Sequence, residues 1–159
     1  MKEILIFFFL LYNFDLSNET DPDKFMENIK YIPDLIKGLE EADHSCYNII
    51  KNIVENKNIT DDLVKVLDKN ISIFEFLLKY SENITLVIDN CYVYELIKTL
   101  SHYALEKDGI YDLGVNMEKN ALIISKSSKL FMSREKDWTK KFVNLGKVIK
   151  YVFNITYFK

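Results

Sequence analysis

The chain has 159 residues, 48% apolar and 28% charged, with a net charge of −3 and a pI near 5.5. That length suits one domain able to bury roughly 70% of the surface its unfolded form exposes, and the composition excludes wholesale disorder. The charge balance leaves no electrostatic footprint for nucleic acid. Four Gly give little material for glycine-rich phosphate loops, and two Cys exclude a disulfide scaffold and an all-cysteine zinc site. Twenty Lys against one Arg, with 19 Ile and 14 Asn, point to A/T-rich codons and oblige Asn- and Lys-based motifs to be discounted.

At the N-terminus, Ile4 to Tyr12 is an unbroken apolar run. It has the length of the hydrophobic part of a signal peptide, but Glu3 cancels Lys2 and no pair of small residues follows for cleavage. Nine helical residues cover only about 14 Å of a ~30 Å hydrocarbon layer, so the run is not a membrane span. It reads as a buried first helix, with a cleaved signal as the alternative. Five glycosylation sequons, headed by Asn18, Asn58, Asn70, Asn83 and Asn154, exceed the roughly one or two expected by chance. Four of them have Ile at the centre, as this composition favours, and several fall where Asn, Ser or Thr would cap a helix.

Helical periodicity continues almost throughout. Asp21-Pro22-Asp23 supplies an N-cap, a first-turn proline and an acid for the helix dipole. Phe25, Met26, Ile29 and Ile32 follow at helical spacing until Pro33, and a short piece with Leu35 and Ile36 ends at Gly38. Cys46, Ile49, Ile50, Ile53 and Val54 make one apolar face, with Asn48, Lys51, Asn52 and Glu55 opposite. Thr60-Asp61-Asp62 opens a helix carrying Leu63, Val64 and Leu67 that closes near Asn70. Ser72 and Glu75 form a capping box ahead of Phe76, Leu77 and Leu78.

Residues 83 to 105 are apolar nearly all round, the pattern of a helix at the centre of a bundle. Residues 109–132 read as helix from Glu118 through Leu130, with a short irregular or hairpin segment near 110–130, pairing 113–115 with 121–124, as the alternative. Ser133 caps a last helix with Trp138, Phe142, Leu145, Ile149 and Val152 on one seam. No linker or repeat divides the chain, so a single all-α domain over residues 1–159 is expected.

Little points to catalysis. Neither His44 nor His102 has the His-x-x-x-His spacing that puts two metal ligands on one face. His44 and Cys46 are neighbours in sequence only, and His44 reads as a helix-end residue. His102 reads as lying at the rim of the bundle. Cys46 and Cys91 read as buried free thiols, a disulfide between them being plausible only in a secreted chain. Glu40-Glu41 and Asp61-Asp62 read as solvated helix starts. No catalytic residue, cofactor or metal is expected. Ten Tyr, eleven Phe and one Trp are a high aromatic load. Tyr151, Phe153, Tyr157 and Phe158, with Phe7 to Phe9, read as surplus to the core and available to an interface, with an aromatic-rich core as the alternative.

A central apolar helix wrapped by short amphipathic ones resembles the Bcl-2 architecture, and with A/T-rich composition the chain resembles the poxvirus Bcl-2-like family of host-response inhibitors. The likeness is carried by the two ends. One is residues 1–13, a charged second residue and an apolar run closing on Asn13. The other is the set Ser133, Glu135, Trp138, Phe142, Leu145 and Ile149. Residues 106–132 look like an insertion, and Gly109 and Gly114 do not reproduce the groove motif of the cellular members.

The resemblance implies a Bcl-2-like helical bundle acting as a non-enzymatic viral inhibitor of host innate immune signalling (NF-κB and interferon induction) or of apoptosis. Its partners would be host signalling or pro-apoptotic proteins. A groove for a partner helix would be lined by Leu63, Leu67, Phe74, Leu77, Leu78, Ile88 and Cys91, and a homodimer face would use Leu5, Phe8 and Tyr12. Lys140, Lys141, Lys147, Lys150 and Lys159 interrupt any apolar span near the C-terminus, so no transmembrane anchor is expected and the host cytoplasm is the expected site of action. A secreted helical glycoprotein, cytokine-like or receptor-binding, is the alternative.

Overall fold

Proline and short polar caps cut this chain into short helices. The computed structural model describes residues 22–40, 44–134 and 136–158, which form α-helices and turns with no strand among the described residues. In chain order the helices are α1 (Pro22–Ile29), α2 (Ile32–Leu39), α3 (Ser45–Glu55), α4 (Lys57–Leu67), α5 (Ile73–Lys79), α6 (Ser81–Asn90), α7 (Val93–Leu105), α8 (Gly109–Lys119), α9 (Ala121–Phe131) and α10 (Trp138–Val152). Pro33 lies in the first turn of α2, where its missing N–H leaves no helical bond unmade. Asp21, the expected N-cap of α1, lies outside the described residues.

The capping box ahead of α5 is present. The Glu75 N–H donates to Ser72 Oγ at 3.1 Å, and the Ser72 N–H to Glu75 Oε2 at 2.9 Å. Two other helices start elsewhere than expected, because a better acceptor stands in the chain. The Asn56 side chain accepts from the N–H groups of Asn58 and Ile59, so α4 begins a turn before Thr60. Asp137 accepts from the Lys140 N–H and starts α10, while the Ser133 hydroxyl donates to the Leu130 carbonyl at 2.7 Å beyond the end of α9. Residues 109–132 are the helices α8 and α9, not a hairpin.

Residues 83 to 105 are helical but do not form one central rod. The chain breaks at Cys91 and Tyr92, with Tyr92 in the left-handed region at φ 50°. For a residue with a Cβ that conformation costs roughly 1–2 kcal/mol. The Tyr92 ring is held there against Tyr157 and Phe158, with centroids 5.9 and 5.4 Å away. Cys91 and Val93 are buried, but Leu86, Tyr94 and Leu105 are exposed. The all-round apolar pattern is two one-sided helices in succession.

The element that gathers its neighbours is α10, which packs along α2 and α9 and touches α8. Where α2 and α10 cross, two glycines meet. A Cβ added to Gly38 would strike the carbonyl oxygen of Val143 and lie 2.9 Å from the Gly146 Cα; one added to Gly146 would strike the carbonyl oxygen of Leu35. Backbone therefore rests on backbone, and Phe142 stacks on Tyr31 one turn away with ring centroids 4.9 Å apart.

The segment after α10 folds back into the core. Ile155 and Phe158 are 1% and 2% exposed, and the buried Lys150 Nζ donates to the Phe158 carbonyl at 3.2 Å. Phe153 and Tyr157 pack against the same core. These C-terminal aromatics are core rather than interface, because the turn at Asn154 returns them to the bundle. No helix among the described residues is long and apolar enough to cross a membrane.

An exposed helix gains up to about 1 kcal/mol when Gly is replaced by Ala. At this crossing the added methyl meets a carbonyl group, so Gly38→Ala and Gly146→Ala are each expected to lose about 1–3 kcal/mol in urea unfolding. A gain from either would contradict the close crossing.

Candidate binding surface

The apolar stripes of α3 and of the α6–α7 junction converge, and Cys46 and Cys91 are joined in a disulfide with Cα atoms 4.9 Å apart. Both are buried, and the described residues contain no free cysteine. This corrects the free-thiol expectation. The bond sits in the principal core cluster with Leu39, Val93, Ile155 and Phe158. The carboxylate of the buried Glu40 fixes the start of α3 beside it, accepting the N–H groups of Cys46 and Tyr47 at 3.0 and 3.2 Å. Closing a 45-residue separation removes chain entropy worth about 4 kcal/mol. The double substitution Cys46→Ser with Cys91→Ser should therefore lower unfolding free energy by about 2–4 kcal/mol; an unchanged denaturation midpoint would show that the bond is not formed.

Among the described residues, α8 and α9 carry a run of uncovered apolar side chains. Ile110, Tyr111 and Leu122 are 78%, 73% and 89% exposed, and Val115, Met117 and Leu130 are also exposed. A surface helix usually turns its apolar stripe inward. Here several contacts that hold the pair to the bundle are polar. The Asn116 amide donates to the Tyr103 hydroxyl at 2.8 Å, and the Asn120 amide to the Tyr151 carbonyl at 3.2 Å. Ser127 is buried, and Gly109 lies so close to α7 that a Cβ would meet the backbone of His102 and Tyr103. The pair is anchored on one side and exposes these apolar residues, interspersed with Glu118, Lys119, Lys126 and Lys129, on the other.

His102 clips α7 to α8. Its Nδ1 lies 2.7 Å from Glu106 Oε2 and its Nε2 3.0 Å from Asp112 Oδ2. Hydrogen bonds to Glu106 first, then Asp112, raise the imidazole pKa above its usual value. Two carboxylates facing the two ring nitrogens favour the protonated imidazole, and a ring held between them is engaged at both nitrogens rather than open to a substrate. This rim position matches the sequence expectation. Among the described residues no group of three or more His, Cys, Asp or Glu could hold a metal ion.

A raised pKa stabilises the fold fully below the ordinary imidazole value of 6.5, and the contribution is lost as pH rises through the folded-state value. The melting temperature lost in His102→Gln should thus be larger at about pH 6 than at about pH 9. Equal losses at both would remove the clip.

The expected groove residues lie on α4, α5 and α6, with α5 packed on both neighbours. Phe74 and Leu78, one turn apart on α5, are exposed; Leu63, Leu67, Leu77 and Ile88 are half-buried. Cys91 leaves the set, because it is buried and bonded to Cys46. A shallow depression at the α4–α5 turn is lined by Val66, Lys69, Asn70, Ile71, Ser72, Ile73 and Glu75, none of them an expected groove residue. Leu5, Phe8 and Tyr12 lie outside the described residues, as do Phe7 to Phe9.

Asp62 is buried rather than solvated. Lys65 Nζ and Lys79 Nζ donate to its two oxygens at 2.7 and 2.6 Å, and the Tyr80 hydroxyl donates to Oδ2 at 2.8 Å. Those bonds, led by Lys65, hold the carboxyl well below the usual carboxylate range. They fasten α4 to the end of α5 and leave no open acid for chemistry. No known protein family, curated protein or solved structure matches the chain.

Proposed function

We propose that this chain is a secreted, non-enzymatic helical protein that binds another protein through the apolar face of α8 and α9. The observation that carries the reading is the Cys46–Cys91 disulfide. Such bonds persist in oxidising compartments and are rare where thioredoxin and glutathione keep thiols reduced. The sequons are consistent with passage through the secretory route. Ile110, Tyr111, Val115, Met117, Leu122, Ile123 and Leu130 are all exposed on this helix pair, and grouped exposed apolar side chains are the mark of a protein-binding surface.

Inhibition of host innate signalling or apoptosis from the host cytoplasm is the second reading, favoured by the exposed Phe74 and Leu78 at the edge of the expected groove. It requires the fold to stand without the disulfide in a reducing compartment, forgoing about 4 kcal/mol.

Expression of the full chain with its own N-terminus in cultured eukaryotic cells separates the two. Recovery from the medium is expected. Complete retention in the cytosol would contradict secretion and leave the second reading.

A further inference from the structure

We infer that Asn58, Asn70 and Asn154 carry N-linked oligosaccharides and that Asn83 does not, an inference that rests on the secretory reading above. Each of the four heads an Asn-Ile-Ser/Thr triplet. A glycan is bulky and hydrated, so a folded chain accommodates one only at a solvent-facing side chain. Asn58, in the first turn of α4, is exposed; so are Asn70, beyond the end of α4, and Asn154, beyond the end of α10. Asn83 is half-buried within α6. At Asn154 the backbone is left-handed, with φ 48°, a conformation that Asn tolerates better than most residues. The next residue, Ile155, turns into the core, leaving Asn154 at the surface.

The hydrogen bonds separate these asparagines from the structural ones. The side chains of Asn56, Asn90, Asn116, Asn120 and Asn144 bond within the fold, and none of them heads a sequon. Among the described residues, the side chains of Asn58, Asn70 and Asn154 make no such bond, and none of the three caps a helix. Helix capping accounts for Ser72 in the Asn70 triplet, which caps α5, but not for the three asparagines themselves.

None of the sequons lies on α8 or α9 themselves. No sequon is headed by a residue between 84 and 153, the stretch that contains α8 and α9. The reaction is transfer from a lipid-pyrophosphate-linked oligosaccharide. The asparagine Nδ2 bonds to the anomeric carbon, the bond from that carbon to phosphate breaks, the lipid pyrophosphate leaves, and the amide proton passes to a base. No oxidant or reductant is involved.

The test uses the full chain in two forms, one with its own N-terminus and one behind an added secretion leader, both made in a eukaryotic secretory line. Peptide N-glycosidase in heavy-oxygen water converts each glycosylated Asn to labelled Asp, which mass spectrometry maps. Labelled Asp is expected at positions 58, 70 and 154 and unmodified Asn at 83. Asn58→Gln, Asn70→Gln and Asn154→Gln should each remove one step of gel mobility. Absence of label at those three positions in the leader-routed chain, or label at 83 in their place, would overturn the assignment while leaving secretion of the native form intact. If the leader-routed chain is labelled but the chain with its own N-terminus stays unmodified in the cytosol, the secretory reading fails and the inference falls with it.

Discussion

One covalent bond organises this bundle. Cys46 and Cys91 are joined where α2, α3, the α6–α7 junction and the C-terminal segment meet, and the buried apolar side chains of all four surround it. Without it, the left-handed turn at Tyr92 would lose its fixed neighbour and the aromatic contacts from Tyr157 and Phe158 would have to hold that strained residue alone. Because both sulfurs are buried, a soluble thiol must wait for an opening of the core before exchange can begin. The bond therefore protects the fold that shields it.

The second constraint is steric. Gly38 and Gly146 let α2 and α10 approach until backbone touches backbone, which aligns Tyr31 with Phe142 and draws the segment after α10 toward the core. With the core occupied by these elements, α8 and α9 are left at the periphery and joined to the bundle partly by amides, a buried serine and the His102 clip. Polar groups face the bundle there, while Ile110, Tyr111 and Leu122 face outward. The protein-binding reading grows from that inversion, and the disulfide directs it toward the extracellular side.

Much of the local structure was legible from residue patterns. The Ser72–Glu75 box, the one-sided face of α3 and the all-helical class follow from rules that act within a few residues. What escaped depends on distant partners. Asp62 beside Asp61 looks like a helix start, and two of its three donors, Lys79 and Tyr80, stand 17 and 18 residues away. Gly38 reads as the end of a helix, which closes one residue later at Leu39, but nothing in the sequence shows that α10 occupies the space of its missing side chain. Periodicity reports how many apolar residues share a face but not whether anything covers that face. The run from 83 to 105 thus has the pattern of a wrapped rod, and no pattern in the sequence marks the apolar residues of α8 and α9 as uncovered.

The most direct measurement is of the two sulfurs in the protein from its native source. The chain should be treated with a maleimide before any reductant, under denaturing conditions, and weighed intact. The account predicts no adduct at Cys46 or Cys91 until a reductant is added, and two afterwards. Two adducts without reductant would show free thiols in the working protein and would contradict both the covalent core and the compartment inferred from it.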